Sequence, residues 1–407
     1  MDDIAFALVL NLHQPHGNLD DLLGSDPWAA REILYALDRI PRSLWPYPDH
    51  GRVHLSLSGT LLETLADPGF QARAYGIVDC GSLLWHLQNT EVIDILGSAY
   101  YHPVLPLVPP GDWQQHLGLW REIGERIFVR PHFSGFWPPE MGFAMELIPL
   151  IRSLGYRYVI VDSSHVEPVD PMRWDELRYR PHVARHNGTE VTVVVRDREL
   201  SDAQESGMDA NWFIREVQAR TRHCDFAPLV TTCTDGDNGG WFRNTTPGAN
   251  FWTAFYTELL DRALRRDSGG VRPVFIHEHL AAHPPRGEVR VASGAWNTGW
   301  HDGTGFTQWT GSAAQRDALA RIHDVSRQLH LAAAARGPSG RSGLEEASRH
   351  LLRAQTSCNL YWGESWVPRC HADLDRALAL LAGATFPVSG LAWRGTVPPG
   401  PVSRGVA

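Results

Sequence analysis

Ile4-Ala5-Phe6-Ala7-Leu8-Val9-Leu10-Asn11-Leu12-His13-Gln14-Pro15 opens the chain with an apolar run that stops at a polar step. Similar short runs recur at Val53 to Leu57, Tyr158 to Val161, Val191 to Val195, Leu229 to Thr232 and Val274 to His277, with longer helical patterns between them. Strands separated by helices predict an α/β fold with a parallel sheet or barrel. Most of the runs end in polar or charged residues: His13-Gln14, Asp162-Ser163, Asp235-Gly236 and His277-Glu278. In a (β/α) barrel such strand ends form the catalytic face.

From Gly311 onward the pattern is helical, over Ala313 to Leu331, Leu344 to Leu352 and Asp373 to Leu381, with a Gly/Ser/Arg linker at Arg336 to Gly343. The expected organisation is a catalytic barrel over 1–310 and a helical bundle packed on it over 311–386. A tail over 387–407, rich in Pro and Gly, should be poorly ordered.

A net charge of -9 without a long basic run argues against a grip on nucleic acid or anionic membrane, and for a neutral small or polymeric partner. Lysine is absent, so P-loop chemistry, Schiff-base catalysis and pyridoxal-phosphate attachment are excluded. The 16 tryptophans offer flat apolar faces with one polar handle, which suit sugar rings. The five cysteines are scattered, lack metal-site spacing and read as reduced thiols. No apolar stretch approaches the ~18 residues of a membrane span, and no cleavable leader is evident, so a cytoplasmic location is expected.

Two carboxylates stand out. Glu140, in Gly135-Phe136-Trp137-Pro138-Pro139-Glu140-Met141-Gly142-Phe143, emerges from two prolines and an aromatic pair, a rigid setting for a charge. Asp235, in Thr231-Thr232-Cys233-Thr234-Asp235-Gly236-Asp237-Asn238-Gly239-Gly240-Trp241, follows an apolar run and enters a Gly-rich turn that lets backbone approach a ligand. An ordinary Asx turn explains the second stretch equally well on its own.

These segments resemble glycoside hydrolase family 57, and they do so as an ordered series. His13-Gln14-Pro15 comes first, then Gly97-Ser98-Ala99-Tyr100-Tyr101-His102-Pro103, then Trp137-Pro138-Pro139-Glu140 and Asp235-Gly236-Asp237-Asn238. Trp296-Asn297-Thr298-Gly299-Trp300, Phe306-Thr307-Gln308-Trp309-Thr310-Gly311 and Ser357-Cys358-Asn359-Leu360-Tyr361-Trp362-Gly363 complete it. The chain departs from the family pattern at Asp94, Pro138, Asp237 and Gly239. The resemblance implies an incomplete (β/α)7 barrel followed by a helical bundle, acting on α-glucans or maltooligosaccharides by a retaining mechanism with no cofactor and no metal. It places the nucleophile at Glu140 and the acid/base at Asp235. A retaining pair lies ~5–5.5 Å apart, and the repulsion keeps one carboxyl protonated.

Around that pair, His13, Gln14 and His102 are candidates for sugar hydroxyls, although a buried histidine satisfied by backbone is as probable for each histidine. Trp137, Trp241, Trp296 and Trp300 are candidate stacking platforms, whereas Trp362 is expected in the core. Asp94, Asp162 and Asp237 are candidates for hydroxyl binding or for support behind the site. A competing signal is His277-Glu278-His279 with His283: on a strand, His277 and His279 would project from one side and could bind zinc, as in a metal-dependent polysaccharide deacetylase. His13-Gln14 stand where that chemistry would place an acidic pair, so His277 is expected to face sugar or core instead. A carbohydrate-binding relative without turnover is the non-enzymatic alternative.

Overall fold

The computed structural model describes residues 3–128, 133–296, 305–336 and 344–385. The 387–407 tail, Trp300 and most of the predicted linker lie outside the described residues. In chain order the strands are β1 (Ile4–Leu12), β2 (Val53–Leu57), β3 (Ile93–Leu96), β4 (Gly135–Phe136), β5 (Tyr158–Asp162), β6 (Val166–Pro168), β7 (His182–His186), β8 (Thr189–Arg196), β9 (Leu229–Asp235), β10 (Val271–Pro273) and β11 (Val289–Val291). Seven of them run in the order β3-β2-β1-β9-β8-β5-β4 with parallel pairing. A parallel bridge between Gly97 and Phe136 brings the two edges together, so the sheet is a barrel with one seam, between β3 and β4.

Strand alternation splits the apolar residues into two cores. From β1, Ala5, Ala7 and Val9 face the barrel interior with Ile160, Val194, Leu229 and Cys233. Phe6, Leu8, Leu10 and Leu12 face outward into the larger core under the surrounding helices. A further apolar cluster joins the helices Ala313–Arg336, Glu345–Ala354 and Val367–Thr385, and it includes Val104 and Ala295 from above the barrel. Buried Asp112 ties this region to the helix Pro110–Phe128, accepting from Gln355 Nε2 (2.6 Å) and Ser326 Oγ (3.1 Å). No helix among the described residues is long and apolar enough to cross a membrane.

The run Val274 to His277 differs from expectation. The strand there is β10, which ends at Pro273, and Ile276–Ala282 is a helix. Its first turn is fixed by tertiary contacts: the Ile276 amide donates to His54 Nε2 (3.0 Å), and Glu278 accepts from the Phe275 amide (3.4 Å). His277 and His279 therefore diverge by about 200° around the helix instead of sharing a strand face, which removes the geometry of the metal reading. His277 meets Asp94 (3.3 Å), and the His279 ring lies against His283.

At the seam, the Gly97 amide donates to Gly135 O (2.9 Å) and the Trp137 amide to Gly97 O (2.7 Å). A Cβ on Gly97 would sit 2.1 Å from the Tyr156 ring. Gly97→Ala is expected to lower stability by roughly 1–3 kcal/mol, the usual cost of overpacking, read as a fall in the urea midpoint. An unchanged midpoint would show that the seam tolerates the added methyl.

Candidate active site

The alternation that fills the interior also decides what crowns it. Above Val9 the next inward position of β1 is Asn11, and above Cys233 the next inward position of β9 is Asp235. The two are register partners on adjacent strands, and Asn11 Nδ2 donates to Asp235 Oδ1 at 2.9 Å. In the same way Asp162 and Arg196 sit above Ile160 and Val194 as register partners of β5 and β8, and Arg196 Nη1 donates to Asp162 Oδ2 at 2.6 Å. Arg196 also donates to Cys233 O and Asp202 Oδ1, both at 3.0 Å.

Glu140 follows β4 through the two prolines and adopts φ 56°, ψ 18°, a left-handed conformation that non-glycine residues rarely hold. Its carboxylate is caged by donors: Trp296 Nε1 to Oε2 and Ser357 Oγ to Oε1, each 2.7 Å, with His102 Nδ1 at 3.4 Å from Oε1. The Trp296 amide also donates to Glu140 O at 2.9 Å. Asn11 gives its amide protons to Asp235, and its Oδ1 lies 3.3 Å from His102 Nε2. Glu140, His102, Asn11 and Asp235 thus form one linked run.

Both carboxylates line one cavity of about 420 Å³, together with His13, Gln14, Arg196, Asp237 and Trp296. Their environments are opposed. Burial alone would raise the Glu140 carboxyl, but the bonds from His102, Ser357 and Trp296 outweigh it and hold the group below its ordinary value. Asp235 is pushed well above its ordinary value, first by burial and then by the charges of Glu140 and Asp237, against the single bond from Asn11. Asp237 is raised to about 6, chiefly by burial, although it accepts from Gln14 Nε2 at 2.9 Å.

His13 lines the cavity, stacked on the His102 ring at 4.0 Å, and its two ring nitrogens are buried with no hydrogen-bond partner among the described residues. Other expected residues lie elsewhere. His102 is fully buried behind Glu140, so it positions the carboxylate and does not face the cavity. Trp137 is 0% exposed inside the barrel, edge-on to Trp296, and cannot present a face to sugar. Trp241 packs against the outer core and stays off the cavity. Asp94 sits low on β3, in register with His54, and its contact to His277 places both at the end of the barrel away from Glu140. Asp162 supports Arg196 from behind.

Sequence reasoning missed Asn11, Arg196 and Ser357, as well as Glu205, Tyr361 and Trp366 in the cavity wall. Trp362, expected in the core, is 51% exposed and lines the cavity. The ordered motif at Ser357 to Gly363 was the available signal for that wall, but only packing of the helices aims it at Glu140.

Comparison with known proteins gives the family and the fold. The family described as "Glycosyl hydrolase family 57" matches residues 30–292, well over half of the chain. An alpha-amylase of Pyrococcus abyssi is 26% identical over 201 residues, covering 49% of this chain and 28% of the relative. A 4-alpha-glucanotransferase of Thermococcus kodakarensis is 27% identical over 200 residues, with the same shares of 49% and 28%. The matches thus span under a third of those relatives' length. Among solved structures, a branching enzyme from Thermococcus kodakaraensis superposes with TM-score 0.70 at 13% identity, covering 93% of this chain and 90% of that one. The alpha-amylase AmyC of Thermotoga maritima gives TM-score 0.68 at 14% identity, with 95% and 94% covered. At such identity these structures establish a shared fold.

Asp237 yields a stability test. A carboxyl whose folded value is raised costs stability as pH rises from its unfolded value near 4 through its folded value of about 6, and the cost is absent below both. Asp237→Asn keeps an oxygen for Gln14 and removes that cost. The variant should be more stable by roughly 2–3 kcal/mol at pH 7, with the gain vanishing by pH 4. Denaturant midpoints at the two pH values check this, and a gain independent of pH would contradict the assigned titration.

Proposed function

Since this chain belongs to glycosyl hydrolase family 57, we propose that it is a retaining glycoside hydrolase or transglycosylase of α-glucans, with Glu140 as nucleophile and Asp235 as acid/base. The observation that carries the reading is the opposed electrostatics of two carboxylates on one cavity: hydrogen bonds hold Glu140 below its ordinary value, while burial and acidic neighbours push Asp235 well above its own. An α-glucan substrate accords with the amylase and 4-alpha-glucanotransferase relatives. It also accords with a cavity walled by polar side chains and by Tyr361, Trp362 and Trp366.

In the first step a Glu140 oxygen attacks the anomeric carbon as the bond to the leaving oxygen breaks, and that oxygen takes the proton of Asp235. In the second step a water or sugar hydroxyl gives its proton to the Asp235 carboxylate and attacks the same carbon, and Glu140 departs as carboxylate. Two inversions return the starting anomer.

Glu140→Gln should reduce sugar release from amylose or maltooligosaccharides by about 10³-fold or more, as deletion of a nucleophile does. Proton NMR of the first product should show the α-anomer, and initial β-anomer would refute retention. The plot of kcat/KM against pH should fall off below the ordinary carboxylate range on the acid side, set by Glu140, and well above it on the basic side, set by Asp235. Product sizes from maltotriose distinguish transfer, which makes longer chains, from hydrolysis, which does not.

A further inference from the structure

Arg196 is a buried cation within a cluster of carboxylates, and the two-step chemistry makes no use of it. Its guanidinium is immobilised by Asp162, Asp202 and Cys233 O, and it lies over the Trp296 ring, 5.6 Å from the centroid. Trp137 closes the indole from another direction, edge-on at 5.3 Å. The indole N–H is the donor at 2.7 Å from Glu140 Oε2, and the Trp296 amide holds Glu140 O.

We propose that Arg196 is a positioning residue for the nucleophile, acting through Trp296: it pins the indole against Glu140 and polarises its N–H toward the carboxylate. A cation over a π face draws electron density from the ring and makes the ring N–H a stronger donor. Asp162 and Asp202 offset much of the arginine's charge at longer range, so its effect is delivered locally through the ring it touches. The stronger donor stabilises Glu140 as a carboxylate before attack and again as it leaves. This rests on the reading that Glu140 is the nucleophile.

Among the described residues, the other ionisable groups around Glu140 are His102, Asp235, Cys358 and Tyr361. Around Arg196 they are Asp162, Asp202, Glu205 and Cys233, with Arg198 reaching toward Asp162 and Asp202. Any of these could feel a lost arginine directly, so the test must separate the direct effect from the path through the indole.

The separating experiment is a double-mutant cycle on the full chain, with Arg196→Gln, Trp296→Phe and the double variant compared with the unmodified protein through the acid limb of kcat/KM. Trp296→Phe should move that limb up by about 1 pH unit, the loss of one donor to a charged acceptor. Arg196→Gln should move it up by about half as much, with kcat lowered about 10-fold. In the Trp296→Phe background, adding Arg196→Gln should move it no further. Equal increments in both backgrounds, or an unmoved limb in folded Arg196→Gln, overturn the proposal. Where a variant turns over too slowly, ¹³C titration of the Glu140 carboxyl supplies the same comparison. Should Glu140→Gln retain activity, the nucleophile assignment itself fails. A flat Arg196→Gln profile in an enzyme that Glu140→Gln inactivates removes only the present proposal.

Discussion

The site depends on a single amide. Asn11 has one donating and one accepting side, and the register of β1 against β9 puts the donating side on Asp235. The accepting side then faces His102, whose other nitrogen faces Glu140. Two carboxylates on distant parts of the chain are thereby set within one hydrogen-bonded run. A one-residue slip of either strand would turn Asn11 or Asp235 into the outer core, because successive side chains alternate across a strand.

Burial alone would raise both carboxyls, and what differs is the supply of donors. Glu140 receives bonds from an indole, a hydroxyl and an imidazole, so the ion is solvated by the protein. Asp235 accepts from Asn11, and burial with the nearby charges of Glu140 and Asp237 pushes its carboxyl well above the ordinary value. The same buried setting therefore shifts two similar groups in opposite directions. The left-handed backbone at Glu140, Met141 and His102 belongs to this arrangement. Each such residue stores about 1–3 kcal/mol of strain, which persists only where surrounding contacts over-determine it. The Met141 amide on Pro138 O and the Trp296 amide on Glu140 O are two of those contacts.

The helices after the barrel complete the cavity as well as packing on the barrel. Ser357 reaches Glu140, and Tyr361, Trp362 and Trp366 form a wall of the cavity. The buried Asp112 network, with Gln355 two residues before Ser357, anchors that segment to a barrel helix. Cleft geometry and the packing of the two parts are therefore one problem.

Local pattern in the sequence sufficed for most of the strand runs, the parallel α/β arrangement and the helical region, because alternation and turn chemistry act over a few residues, whereas the closed barrel and the choice of Glu140 and Asp235 as a pair came from the ordered series of family motifs. It failed where a long-range contact overrode a local run, as at Ile276, whose amide is taken by His54 to begin a helix. It also failed wherever a side chain's role depends on which way its element faces. Trp137 and Trp362 exchange their expected places because exposure is set by packing and not by residue type. Asn11 and Asp235 are 224 positions apart, and Arg196, Trp296 and Glu140 come from separate elements. Only closure of the barrel brings such groups within hydrogen-bond range, and only the unequal donors they then meet shift the two buried carboxyls in opposite directions.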